Sequence, residues 1–212
     1  MKRPSLAVIA VFALVAVAVG ALVWRRGASR SEAPSTSAAA PDIRAFVSDS
    51  LAMRVRVPDS GWTLRRDASM RPDGRVAVAT NQDSSATVRV FVLPAGPQTS
   101  LDGVFAARKQ QIAGLFGVQD LDKVIATTIR DEKKDLGGHT FRRWQAVSHP
   151  VDDPGAEPRR IMFMWAATVT PQRTYECIGL VRFPAAPSRE DQPRVDGTLR
   201  DVAFVLQSFE VF

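Results

Sequence analysis

Residues 160–183, RIMFMWAATVTPQRTYECIGLVRF, hold the pattern that decides the fold. Two apolar runs, 160–170 and 174–183, lie on either side of Pro171 and Gln172. Their β-branched and aromatic content across a proline-marked turn reads as a long β-hairpin. Both runs are apolar on both faces, so this hairpin belongs at the centre of a sheet that is covered on each side. The same alternation extends upstream. Residues 123–133 and 139–148 form a second long hairpin, with Gly137 and Gly138 after Leu136 supplying the positive φ values of a tight turn.

Further upstream the period changes. Leu101, Phe105, Ile112, Leu115 and Phe116 recur at helical spacing, while Arg108, Lys109, Gln110 and Gln111 occupy the intervening positions and read as the water-facing side. Ser100 is a suitable N-cap, and Asp102 sits in the first turn, where the helix dipole favours a carboxylate. Before this helix come short strands: Leu51, Met53, Val55 and Val57 alternate with Arg54 and Arg56, Trp62 opens a strand to Arg66, and two more cover 75–80 and 86–93. Downstream, Ser188 and Asp191 resemble a capping box ahead of a second amphipathic helix carrying Val195, Leu199, Val202, Ala203 and Leu206. The apolar residues of the final Ser208, Phe209, Glu210, Val211, Phe212 segment should dock on the domain. Segregated runs of strands and helices predict an α+β domain in which an antiparallel β-sheet is packed by two amphipathic helices.

The first forty residues are of another kind. Residues 6–24, from Leu6 to Trp24, run 19 positions without a charge. As a helix they span roughly 28 Å, close to a hydrocarbon core of about 30 Å. Lys2 and Arg3 precede the run, and Trp24, Arg25 and Arg26 close it. This predicts an N-terminal transmembrane helix within residues 1–26, an uncleaved signal-anchor, with a cleavable secretory signal as the alternative. Residues 27–43, rich in Ser, Ala and Pro, read as a flexible tether, and residues 44–212 as the folded domain. The basic start favours a single-pass protein of the inner membrane with its domain outside the cytoplasm. A lipid-modified cysteine is excluded, because Cys177 is the single cysteine of the sequence. One cysteine also makes no internal disulfide, so the domain depends on its core.

The formal charge of +6 divides unevenly. Residues 1–40 hold five Lys and Arg against one acidic residue, and residues 41–212 hold 23 against 21. The excess belongs to the juxtamembrane segment, where Arg25, Arg26 and Arg30 suit anionic headgroups, and no nucleic-acid partner is expected.

Four motifs in order resemble the PsbP-like α+β fold, whose members include bacterial envelope proteins. They are a Val-rich strand running into Pro58 with Gly61-Trp62, Ser100-Leu101 opening a helix, the Leu136-Gly137-Gly138 hairpin, and a closing helix followed by Ser208-Phe209. The resemblance spans most of residues 44–212, leaving the loop 149–158 unmatched. It implies a binding or accessory module with no shared catalytic residues to carry over.

The residues themselves hold little chemistry. His139 and His149 are the only histidines, and there is no CxxC, HExxH, GxSxG or phosphate-binding glycine loop before a helix. The nearest approach to a cation or acid–base site is His149 with Asp152 and Asp153 in one polar loop, whose simpler reading is a solvated turn. Phe141, Arg142, Arg143 and Trp144 interleave aromatic and basic side chains, but strand alternation explains them. Within the domain, Ile161, Met162, Phe163, Met164 and Trp165 carry notable apolar weight, and Met162, Phe163, Met164 and Trp165 are the candidate binding residues; core packing is the competing reading. The expected function is a non-catalytic, membrane-anchored accessory module that binds another protein in the bacterial cell envelope. The alternative is a carrier of a hydrophobic small molecule or lipid in a pocket between sheet and helix near Phe163 and Trp165, with no cofactor in either case.

Overall fold

The computed structural model describes residues 43–67, 71–151 and 157–212. The expected membrane helix, the tether up to residue 42, and Asp152 and Asp153 lie outside these residues. Among the described residues, no helix is long and apolar enough to cross a membrane.

The described residues form ten strands and two long helices. In chain order these are β1 (Ile43–Ser48), β2 (Met53–Pro58), β3 (Trp62–Arg66), β4 (Arg75–Asn81), β5 (Ala86–Pro94), α1 (Leu101–Leu115), β6 (Ile125–Leu136), β7 (His139–Ser148), β8 (Arg159–Val169), β9 (Arg173–Pro184), α2 (Gln192–Gln207) and β10 (Glu210–Val211). A single 3-10 turn, Leu121–Lys123, leads into β6. Seven strands form one antiparallel sheet in the order β3-β4-β5-β9-β8-β7-β6. The long hairpin of the deciding stretch, β8–β9, lies inside this sheet, with β5 on one side and β7 on the other.

The sequence pattern points to one sheet; the fold has two. β1, β2 and β10 make a separate three-stranded sheet. β2 and β3 look like consecutive arms of a hairpin around Pro58–Gly61, yet they belong to different sheets. β1 bonds along the whole of β2, from Ile43 opposite Pro58 to Ser48 opposite Met53, and leaves β3 to pair with β4.

Strand alternation divides β8 between two cores. Met162, Met164 and Ala166 face a core that includes Met53, Val55, Val57, Val88, Cys177, Val202, Val205 and Leu206, made by α2 and the small sheet. Phe163, Trp165 and Ala167 face the other, with Phe105 and Ile112 of α1, Phe91, Trp144 and Ile178. The large sheet is therefore sandwiched between α1 on one side and α2 with the small sheet on the other. Cys177 is fully buried, and burial pushes its thiol pKa up, so it serves as a small apolar side chain.

Local signals hold at most ends. Gly137 and Gly138 have φ of 59° and 82° in the two-residue turn between Leu136 and His139. The Ser100 hydroxyl accepts from the Gly103 N–H at 3.1 Å and caps α1. At α2 the Ser188 hydroxyl accepts from the Asp191 N–H at 3.1 Å, closing the turn just ahead of the helix rather than its first turn. Phe209 and Val211 dock as expected, while Phe212 remains 61% exposed. Leu115, expected on the buried stripe of α1, is exposed, because α1 ends there and Ala113 takes the inward position instead.

Candidate functional site

All four candidate binding residues are buried, so none of them presents a surface to a partner. Phe163 and Trp165 belong to an aromatic cluster beneath α1. Phe105 lies 5.5 Å from Trp144 and 5.1 Å from Trp165, and Trp144 stacks on Phe163 at 6.2 Å between ring centroids. Met162 and Met164 fill the opposite core. Between the sheet and α2, bordered by Arg143, Gln145, Ala203 and Leu206 where β8 passes Trp165, the open space is about 10 Å³. A small hydrophobic molecule needs about 300 Å³ or more, far above this space, which lies on the α2 side of the sheet, opposite the Phe163 and Trp165 side chains.

The chemistry under α1 is polar in one respect that the pattern of the sequence conceals. Glu176 on β9 is 1% exposed. Its carboxylate accepts two hydrogen bonds from the Arg108 guanidinium, Nε to Oε2 at 3.0 Å and Nη2 to Oε1 at 2.8 Å, and a third from the Trp165 indole N–H at 2.8 Å. Arg108 also lies over the Phe91 ring, 4.9 Å from its centroid. Expected among the water-facing residues, Arg108 reaches inward from α1. The signal was present: Phe105, Arg108 and Ile112 are spaced three and four apart on one helical stripe, and Glu176 is the only charge between Thr174 and Val181. A buried carboxylate requires a cation and full hydrogen bonding, which this arrangement supplies.

A second ionic network ties the start of α1 to the sheet. Asp102 pairs with Lys133 at 3.0 Å and Arg142 at 2.7 Å, and Arg142 also pairs with Asp131 at 2.8 Å. The hydrogen bond from Lys133 is the main reason the Asp102 carboxyl titrates below its usual range. Arg142 stacks 3.8 Å over Phe105. Phe141 and Trp144 are buried on opposite faces of β7, so neither ring is open to a stacked base.

His149 is exposed, and its suggested partners lie outside the described residues. Among the described residues no three His, Cys, Asp or Glu side chains converge to hold a metal ion.

The open site is elsewhere. A crevice of about 460 Å³ lies between the β2–β3 turn, the β4–β5 turn and α2, lined by Ser60, Gly61, Trp62, Asn81, Gln82, Asp83, Thr198 and Asp201. Its walls are set by non-local bonds. The buried Trp62 donates its indole N–H to Asp201 Oδ2 at 3.1 Å, and the Gln82 N–H bonds the Gly61 carbonyl at 2.7 Å, holding the two turns together. Asn81 organises the β4–β5 turn, donating to Asp83 and Ser85 and accepting from the Ala86 N–H at 2.7 Å. Asp83 also pairs with Arg194 of α2 at 3.1 Å. Hydrogen bonding from Ser85, followed by Arg194 and Asn81, keeps the Asp83 carboxyl below its ordinary pKa. The Thr198 hydroxyl donates to the Arg194 carbonyl at 3.0 Å. The lining offers carboxylates, amides, hydroxyls and an aromatic edge.

No family model matches the chain, and no curated protein does. Solved structures do. The solution structure of cyanobacterial PsbP (CyanoP) from Synechocystis sp. PCC 6803 superposes with a TM-score of 0.53 at 12% identity, covering 85% of this chain and 98% of that one. The Saccharomyces cerevisiae Ran-binding protein Mog1p gives 0.48 at 11% identity over 81% and 96%. LpqN, involved in cell envelope biogenesis of Mycobacterium tuberculosis, gives 0.42 at 10% identity over 80% and 91%. The chain has the PsbP-like fold, as its four ordered motifs suggest. Identity this low carries the fold and not the function.

Proposed function

We propose that the domain is a non-catalytic module that holds a protein partner in the bacterial cell envelope, anchored as a single pass in the inner membrane by residues 6–24. On this reading residues 27–43 are the tether and residues 44–212 the binding domain, outside the cytoplasm. The uncharged run with its flanking cations supports the anchor.

The observation that carries the binding role is the crevice beside Trp62. Its volume of about 460 Å³ accommodates one or two side chains of a partner segment. Trp62, Asn81, Asp83, Thr198 and Asp201 are engaged in fixing its walls, which keeps the crevice preformed for a bound segment. Preformed concave sites with a few fixed polar groups are the usual form of a recognition site.

The test is recovery of partners from detergent-solubilised membranes by the intact protein and by a Thr198→Arg variant. Thr198 lies on the rim, so the substitution should leave stability within about 0.5 kcal/mol. The expected result is a stoichiometric protein partner whose recovery falls about tenfold in the variant, which corresponds to about 1.4 kcal/mol of binding free energy. Equal recovery would move the partner away from the crevice. No stoichiometric protein with either chain would remove the binding-module reading.

A further inference from the structure

The β6–β7 hairpin carries two neighbouring arginines that meet different fates. Strand alternation sends Arg142 to the α1 side of the large sheet, over Phe105, and Arg143 to the α2 side, beside Ala203. Arg142 is fully engaged. Its Nε and Nη2 donate to the two oxygens of Asp131 at 2.9 and 2.8 Å, and its Nη1 donates to Asp102 at 2.7 Å. Arg143 is half-buried, with its Nε closed off from solvent, and that N–H meets no acceptor among the described residues. Glu132 lies directly opposite Arg143 in the ladder but pairs with Arg130, at 3.5 Å.

The rest of this face leaves it positive. Arg130, Lys134 and Arg143 share the α2 side of the hairpin with one carboxylate, Glu132. At this place α2 contributes Ala203, Leu206 and Gln207, none of them charged. Burial holds the Arg143 pKa below its ordinary value, an effect that Glu132 opposes and Arg130 reinforces. A sheltered N–H without an acceptor costs free energy, so the group is open to an acceptor supplied from outside.

The opening and its chemistry narrow that ligand. Between Arg130, Arg143, Gln145, Ala203 and Gln207 there is room of about 10 Å³, enough for a single oxygen atom the size of a water. The guanidinium edge that includes Nε is also the one this protein uses for its own carboxylates. Arg108 holds Glu176 through Nε and Nη2, and Arg142 holds Asp131 in the same way. Such two-pronged pairing matches a planar carboxylate. We infer that Arg143, flanked by Arg130 and the Gln145 amide, is a carboxylate-binding site on the α2 side of the β6–β7 hairpin, separate from the crevice beside Trp62. The carboxylate is that of an acidic side chain in a protein segment or of a small free acid, and the experiment distinguishes the two.

The intact chain, in an uncharged detergent and with isotope-labelled arginine and glutamine, is titrated by proton–nitrogen NMR. The Nε–H resonance that disappears in Arg143→Lys is that of Arg143. The capped peptide acetyl-Ala-Glu-Ala-amide should move this resonance saturably and slow exchange of its proton with water, while the peptide with Gln in place of Glu leaves it unmoved. An equal response to acetate assigns the site to small free acids; a weaker one assigns it to acidic side chains. Arg143→Lys keeps the charge but loses the two-pronged edge, and should weaken the peptide's effect on the Gln145 side-chain amide about tenfold. Arg143→Met should abolish that effect and unfold at no lower denaturant concentration than the parent, because it removes an unpaired donor and keeps an apolar stem. Equal shifts with the Glu and Gln peptides, or no shift with either, would leave the Nε–H to water and overturn the site. Inorganic phosphate acting at lower concentration than the Glu peptide would overturn the carboxylate assignment. A clear fall in the unfolding midpoint of Arg143→Met would show an arginine that serves the fold, and overturns the site as well.

Discussion

The two faces of the large sheet are covered by different means. On one, α2 buries Val195, Val202, Val205 and Leu206 against aliphatic side chains and comes so close to β9 that only glycine fits at 179. On the other, α1 buries only Phe105, Ile112 and Ala113, and it is held in addition by the Arg108–Glu176 pair and the Asp102, Lys133 and Arg142 network. A helix with a narrow apolar stripe can cover a sheet if charge-assisted hydrogen bonds fix its position. The cost is a buried charge that is tolerated only while its partner is present.

The sharpest way to break this contrast is Arg108→Met. It leaves the Glu176 carboxylate buried with only the Trp165 indole, and should cost about 3–5 kcal/mol in chemical denaturation. The double variant Arg108→Met with Glu176→Leu should recover most of that loss, since an apolar pair of similar volume needs no compensation. A single-variant cost below about 1 kcal/mol would mean that α1 does not depend on the pair.

On the opposite face, Gly179→Ala should cost about 1–3 kcal/mol. A Cβ there meets Val202 Cγ1 at 2.4 Å and Leu206 Cδ1 at 3.1 Å, and Val202 is fully buried with nowhere to move. Pairing it with Val202→Ala should return part of the loss, and failure of that rescue would point to the β9 backbone rather than to α2. The smallest effect is expected at the α1 cap. Ser100→Ala should cost about 1 kcal/mol and raise amide exchange in the first turn of α1 without changing α2. Equal changes in both helices would show that they unfold as one unit.

Much of the fold was legible because its signals are local. The strands at 62–66 and 139–148 match the observed β3 and β7 end to end, and the Gly137-Gly138 turn and the Ser100 cap behave as their chemistry requires. β1 was not legible. Its residues show no clear alternation, and Val47 stays exposed, so only pairing with β2 makes it a strand. The four candidate binding residues lie in the core, where the competing reading placed them. The crevice left no mark in the sequence, since Trp62, Asp83 and Asp201 are far apart in the chain.

Periodicity, turn residues and caps act over a few residues, so the sequence by itself determined both helices, the strands from β2 to β9 and the α+β class, while β1 and β10 became strands only by pairing with β2. The partition into two sheets, the inward turn of Arg108 and the walls of the crevice were decided only in the tertiary structure. They depend on bonds between residues 68 apart for Arg108 and Glu176, 139 apart for Trp62 and Asp201, and 156 apart for Arg54 and Glu210. The stripe of Phe105, Arg108 and Ile112 marks the inward side of α1, but no local pattern names the partner in such pairs, because each gains its stabilisation only once the intervening chain has folded.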